Sequence, residues 1–179
     1  MNNKTRKNKI FRKTDYNSND GMLTSIWGPG MWHFLHTMSF NYPVNPTSHD
    51  KTNYRNYILS LVNVLPCGKC RENFKKNLKD LPILMKHMKS RETFSRYVYD
   101  LHEHINTMLN KESGLSYNDV RERYEHFRAR CTQEDQKKVK ENGCVTPLHG
   151  KKSKCVLQIV PDETKCETMI ISKESMKHK

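Results

Sequence analysis

Between residues 24 and 130 the apolar side chains recur every three or four positions, the spacing of an amphipathic helix rather than of a strand. Trp27, Met31, Phe34, Leu35 and Met38 form a first stripe, with Thr24 or Ser25 as N-cap and Tyr42-Pro43 as the stop. Tyr54, Ile58, Leu61, Val62 and Leu65 form a second, ended by Pro66, and a short third helix is expected from about Cys67 through Phe74 to Leu78. Phe94, Val98, Leu101, Ile105, Met108 and Leu109 form a fourth, closed near Gly114, and Ser116 or Asn118 caps a fifth that carries Val120, Tyr124 and Phe127. The connection 43–51 is rich in Pro, Ser, Thr and Asn and reads as a loop. With nothing strand-like among these segments, the pattern predicts an all-α four-helix bundle plus a short fifth helix over residues 23–131.

The flanks have a different character. Residues 1–22 are basic and Asn-rich with few side chains to bury, and so predict a disordered arm. Residues 132–179 form a Lys-rich extension with three cysteines. Within it CVLQIVP (155–161) and CETMIIS (166–172) are β-branched runs separated by a Pro-Asp turn signal, which predicts a small β-hairpin.

A length of 179 residues with 35% hydrophobic content supports one domain with tails and excludes a two-domain enzyme. The net charge of +13 points to an anionic partner, and the basic arm suits contact with nucleic acid. A basic nucleic-acid-binding or scaffold protein with a structural CxxC is therefore the alternative that any enzyme reading must beat. No apolar run approaches the ~20 residues needed to span a bilayer, and no secretory leader opens the chain. These features predict a cytoplasmic protein without a membrane span, in tension with its six cysteines.

The clearest chemistry lies in Pro66-Cys67-Gly68-Lys69-Cys70 at a helix start. Cysteines at i and i+3 lie on one side of the first turn, close enough to form a disulfide. The helix N-terminus and the adjoining Lys69 and Arg71 favour thiolate over thiol, as an exchanging disulfide requires. Zinc would need a second close Cys or His pair, which is missing, so no metal site is expected. A thioredoxin-like frame would need a strand before the motif, where a helix and Pro66 stand instead.

Two neighbouring helices carry further polar residues at helical spacing. Trp32 and His36 are i and i+4, as are His102 and Asn106, with Lys111 just beyond. An aromatic ring, two imidazoles, an amide and an ammonium suit a planar ligand with a pyrophosphate. Each residue taken singly has a plainer role in a core or on a solvated face.

The ordered segments WGPGMWHFLH (27–36), PCGKC (66–70) and LHEHINTMLNK (101–111) resemble the Erv/ALR FAD-linked sulfhydryl oxidases, particularly those of large cytoplasmic DNA viruses. The family pattern G-x-x-x-W-x-x-x-H is met by Gly28, Trp32 and His36. Its H-N-x-V-N-x-x-L-x-K is met by His102, Ile105, Asn106, Leu109 and Lys111, and a basic-aromatic pair by Arg123-Tyr124. The resemblance implies FAD held by Gly28, Trp32, His36, His102, Asn106, Lys111, Arg123 and Tyr124. It implies Cys67 as the outer sulfur attacked by protein thiols, Cys70 as the inner sulfur facing the flavin, and oxygen as final acceptor, giving hydrogen peroxide. It further implies a homodimer, and a late viral protein acting in virion assembly in host cytoplasm or a virus factory.

Three positions depart from the pattern. Glu103 replaces the usual Asn, and Tyr99 and Ser116 stand where many members close a structural disulfide. Cys131, Cys144, Cys155 and Cys166 are left as structural or shuttle cysteines, with Cys131–Cys144 one pairing among several.

Overall fold

The computed structural model describes residues 11–131, 143–167 and 169–177. Among the described residues six α-helices follow in order: α1 (Lys13–Tyr16), α2 (Thr24–Phe40), α3 (Ser48–Val64), α4 (Gly68–Asp80), α5 (Arg91–Met108) and α6 (Tyr117–Glu125). The bundle is built from α2 to α5, with α2 packed most extensively on α5 and α3 on α4, while the short α6 closes against α2 and α5. The all-α architecture thus follows the apolar periodicity.

Local chemistry sets the boundaries. Thr47 and Asp50 form a reciprocal cap at α3, in which Asp50 N–H donates to Thr47 Oγ1 at 3.1 Å and Thr47 N–H to Asp50 Oδ2 at 2.8 Å. This cap starts α3 at Ser48, inside the segment 43–51 that composition marks as loop. The first turns of α3 are too polar to show a stripe, so the cap is their main sequence signal. Ser116, not Asn118, caps α6, and Ser90 caps α5. A 3-10 turn at Met85–Met88, which the periodicity does not predict, buries Met88 beneath Tyr42, whose hydroxyl donates to Met88 O at 3.0 Å.

The main core joins Leu35, Tyr42, Ile58, Leu61, Phe74, Phe94, Tyr97, Val98 and Leu101, each of them buried. A second cluster of Phe40, Tyr117, Val120 and Tyr124 seats α6. Instead of a disulfide between positions 99 and 116, Tyr99 Oη donates to Leu115 O at 2.7 Å, and the Ser95 and Tyr117 hydroxyls bond at 2.8 Å. Arg96 stacks its guanidinium on Tyr117, 3.7 Å from the ring centre.

Of the basic arm, residues 11–22 are exposed, with α1 a single turn, and residues 1–10 lie outside the described residues. The expected β-hairpin does not appear among the described residues. Among the described residues neither 155–161 nor 166–172 forms a strand, and the extension has only an isolated bridge between Ala129 and Pro147. Val156, Leu157, Ile159 and Ile170 are all at least 70% exposed. A two-stranded hairpin gains stability by burying one face; residues 155–159 are exposed, and the second run turns only Met169 and Ile171 toward α6.

The extension is anchored at its ends. A Cys131–Cys144 disulfide, Arg130 N–H to Thr146 O at 2.8 Å and Leu148 N–H to Arg128 O at 2.7 Å tie its start to the bundle. Lys177 N–H donates to His126 Nδ1 at 3.1 Å beside α6. No helix among the described residues is long and apolar enough to cross a membrane.

Candidate functional site

Cys67 and Cys70 form a disulfide at the start of α4, with Cα atoms 5.1 Å apart. Cys67 is the N-cap, and its Sγ accepts the Cys70 N–H at 3.2 Å. One sulfur thereby occupies the place of an ordinary capping oxygen and receives an otherwise orphaned helix N–H. Cys70 packs against the main core, whereas Cys67 lies outside it. Around them, Lys69 pairs with Glu72 at 3.3 Å, and Arg71 donates to Leu65 O, closing the end of α3.

The neighbouring wall is a ridge of α2 at four-residue spacing: Thr24, Gly28, Trp32 and His36. Gly28 is buried, yet an added Cβ would meet only the Thr24 methyl at 3.6 Å. The protein's own packing therefore does not require glycine there. Trp32 stacks on His102 of α5, with centroids 3.9 Å apart and an interplanar angle of 8°. His36 Nε2 meets His102 Nδ1 at 3.0 Å, and Tyr124 of α6 lies over His36 with centroids 5.4 Å apart.

Electrostatically this cluster is largely screened from solvent, His36 most of all. Burial, then the neighbouring His102 and His33, pushes the His36 pKa down to about 3, and burial lowers that of His102 to about 4. Both imidazoles are therefore neutral near pH 7. Burial also raises the Tyr124 phenol to about 12. Whichever ring holds the proton shared by His36 and His102, His36 Nδ1 is buried without a partner. Such an orphaned atom beside a stacked Trp-His pair and an unneeded glycine fits a planar heteroaromatic group with polar edges, as FAD is.

The remaining candidates fall into two groups. Asn106 lies one turn beyond His102, and its amide donates to Glu103 Oε1 at 2.9 Å, so the departure from the family pattern orients a neighbouring candidate. Lys111 is exposed past the end of α5, its N–H bonded to Asn106 O at 2.9 Å. Arg123 is not gathered into the Trp32/His36/His102 cluster. It lines a cleft of about 290 Å³ with His126 at the C-cap of α6 and Met169, Ile171 and Met176 of the C-terminal segment. Two residues not singled out from the sequence as site candidates join the site: His33, whose Nδ1 lies 3.3 Å from Tyr124 Oη, and Thr24, whose Oγ1 lies 3.2 Å from Cys70 Sγ. The position of Thr24 on the Gly28-Trp32-His36 register is the signal that could have found it.

Comparison with known proteins agrees with this geometry. Residues 29–125 match the model of the Erv1 / Alr family. The chain is 36% identical over 104 residues to a probable FAD-linked sulfhydryl oxidase of Acanthamoeba polyphaga mimivirus, covering 58% of this chain and 72% of that protein. It is 27% identical over 99 residues to an FAD-linked sulfhydryl oxidase of African swine fever virus, covering 55% and 80%. The crystal structure of the yeast Erv1 core superposes with a TM-score of 0.52 at 22% identity, covering 68% of this chain and 95% of that one. Fold, motif order and relatives agree, and the chain belongs to the Erv1/Alr family.

Proposed function

We propose that this protein is an FAD-dependent sulfhydryl oxidase that forms disulfides in protein substrates. The observation that carries the reading is a helix-capping Cys67–Cys70 disulfide near a stacked Trp-His cluster whose buried His36 nitrogen has no partner among the described residues. A nucleic-acid-binding or scaffold role accounts for the charge but gives that cluster no purpose.

Cys67, outside the core, is the sulfur a substrate thiolate attacks. The new bond joins substrate sulfur to Cys67, the Cys67–Cys70 bond breaks, and Cys70 takes the electron pair. A second substrate thiolate then attacks the substrate sulfur of this mixed disulfide, and Cys67 leaves. The Cys70 N–H already bonded to Cys67 Sγ stabilises the departing thiolate. The chemistry that FAD supplies when bound is acceptance of two electrons from the Cys67/Cys70 dithiol and their delivery to oxygen, giving hydrogen peroxide. Gly28, Trp32, His36, His102 and Asn106 would hold it by close approach, stacking and hydrogen bonding. Lys111 and Arg123 would hold its charged portion, Arg123 after turning out of the cleft it lines. The neutral histidines position the cofactor and do not carry protons.

The Cys131–Cys144 pair sits among main-chain hydrogen bonds and serves as a clamp. Cys155 and Cys166 are exposed thiols suited to relaying electrons from bulky substrates. Truncation after residue 135 separates these roles: a relay predicts slow oxidation of protein substrates with small-dithiol oxidation retained, and a clamp predicts lost stability. Ile26 and Phe34 of α2 and Tyr57 and Val64 of α3 expose an apolar face suited to a homodimer, which sedimentation tests.

Oxygen uptake with dithiothreitol tests the oxidase reading. Wild-type protein turns over with release of peroxide, and Cys70→Ser retains flavin but does not turn over. Continued turnover by Cys70→Ser overturns the reading.

A further inference from the structure

We infer that Thr24 is a catalytic residue whose hydroxyl donates a hydrogen bond to the Cys70 thiolate as the disulfide opens. The inference rests on the oxidase reading and deepens it, because it fixes which sulfur leaves.

The contact is direct: Thr24 Oγ1 lies 3.2 Å from Cys70 Sγ. A disulfide sulfur carries no proton, so in the oxidised protein the hydroxyl is the donor. Thr24 is the first residue of α2, whose N-cap is Leu23, and no side chain caps this helix. Its hydroxyl is therefore not spent on the usual local bond of a Thr at a helix start.

The segment before Thr24 fixes its position. Met22 N–H donates to Pro66 O at 2.7 Å, and Trp27 Nε1–H donates to Met22 O at 3.1 Å. Gly21 approaches the motif so closely that a Cβ there would lie 3.0 Å from Cys67 Cα and 3.1 Å from Pro66 O. Residues 21–24 are thus strapped to the residues that open the CxxC, and Thr24 faces the inner sulfur.

Each sulfur then has its own donor: the Cys70 N–H for Cys67 and the Thr24 hydroxyl for Cys70. The disulfide sulfur is a poor acceptor, whereas a thiolate is a strong one. The Thr24 bond therefore strengthens as charge develops, which is the condition for lowering a barrier rather than merely binding. When the substrate thiolate bonds to Cys67 and the electron pair moves to Cys70, Thr24 stabilises the leaving group. A leaving thiol of lower pKa departs faster.

The test uses the flavin-loaded full chain carrying Cys67→Ser, Cys155→Ser and Cys166→Ser, with Cys131–Cys144 closed, so that Cys70 is the one free thiol. Iodoacetamide alkylation of Cys70, located by peptide mass, is followed against pH with Thr24, with Thr24→Val and with Thr24→Ser. Lys69, Arg71 and Glu72 near Cys70 are the same in all three, and the first turn of α2 has no acidic residue. Thr24→Val is expected to raise the Cys70 pKa by about one unit, because a donor to the charged form is lost. Thr24→Ser keeps the parent curve. Coincident Val and parent curves, or an equal rise with Ser, overturn the role of the hydroxyl. Oxygen uptake by the otherwise native chain is measured in parallel: its absence sinks the oxidase reading, while the alkylation curves still decide Thr24.

Discussion

The hydroxyls of Tyr99 and Tyr117 do the work of a missing disulfide, and their removal should loosen α6 in a measurable way. Tyr99→Phe deletes the 2.7 Å bond to Leu115 O, and Tyr117→Phe deletes the 2.8 Å bond to Ser95. Neither change opens a cavity, since both rings remain. Leu115 is half-buried, so its carbonyl can regain water. Ser95 Oγ also reaches Glu92 O at 3.3 Å and keeps a partner. Each loss is then close to the net value of one hydrogen bond, about 1 kcal/mol, without a penalty for a stranded buried group. The two rings are 5.9 Å apart, so the double variant is expected to lose about 2 kcal/mol with some coupling. For a bundle of this size that is a fall in Tm on the order of 10 °C. Urea unfolding followed by far-UV circular dichroism should show a lower midpoint at unchanged m-value. A double variant within about 0.5 kcal/mol of wild type would refute the argument that these bonds hold α6 in place of a cross-link.

Three further outcomes follow from the same geometry. Because the pKa values of His36 and His102 are depressed to about 3 and about 4, the unfolded chain binds more protons than the folded one below about pH 6.5. Stability of the flavin-free protein is therefore unaffected by these two groups above that pH and falls as pH drops toward 4, by about 2 kcal/mol per histidine at pH 5. Denaturant midpoints at pH 7.5 and 5, with about half this pH dependence removed in His36→Gln, check it. Gly28→Ala should leave the helix folded by circular dichroism, since a Cβ meets only the Thr24 methyl at 3.6 Å. Its flavin affinity, read by fluorescence titration, should fall by about tenfold or more, because an overpacked contact costs about 1–3 kcal/mol. Gly150 sits at φ +66°, and a Cβ there would lie 2.6 Å from the Ser175 carbonyl carbon, so Gly150→Ala should unseat the C-terminal segment. Limited proteolysis is expected to cut that variant faster within 150–177 while the bundle midpoint stays unchanged.

What could be read from the sequence divides along physical lines. The stripes of α2 and α5 were legible because one face of each packs on the core, and burial is what imposes the period, whereas Phe34, Met108 and Leu109, expected in those stripes, are exposed. The Cys67–Cys70 pair was legible because both ends lie within one helical turn. The beginning of α3 was not, since its first turns are solvated and only the Thr47/Asp50 cap marks them. The runs at 155–161 and 166–172 carry strand-forming residues, but local propensity yields no strand where the first run is exposed and the second buries only Met169 and Ile171 in part, against α6. In the site, Trp32/His36 and His102/Asn106 were each visible as a turn of helix. That Trp32 stacks on His102 depends on how α2 crosses α5, which no local pattern encodes. Thr24 was visible only as a candidate N-cap, a role it does not fill because Leu23 is the N-cap, and its partner lies 46 residues away.

The central claim is that electrons pass from the Cys67–Cys70 pair to a flavin held by α2 and α5. An anaerobic titration of the purified protein with dithiothreitol, followed by visible absorbance, tests it most directly. The protein is expected to be yellow, with a flavin band that bleaches as dithiol is added and returns on admission of air, and Cys70→Ser is expected to remain yellow and unbleached. A colourless protein that takes up no FAD, or a flavin band that bleaches equally in Cys70→Ser, would contradict it.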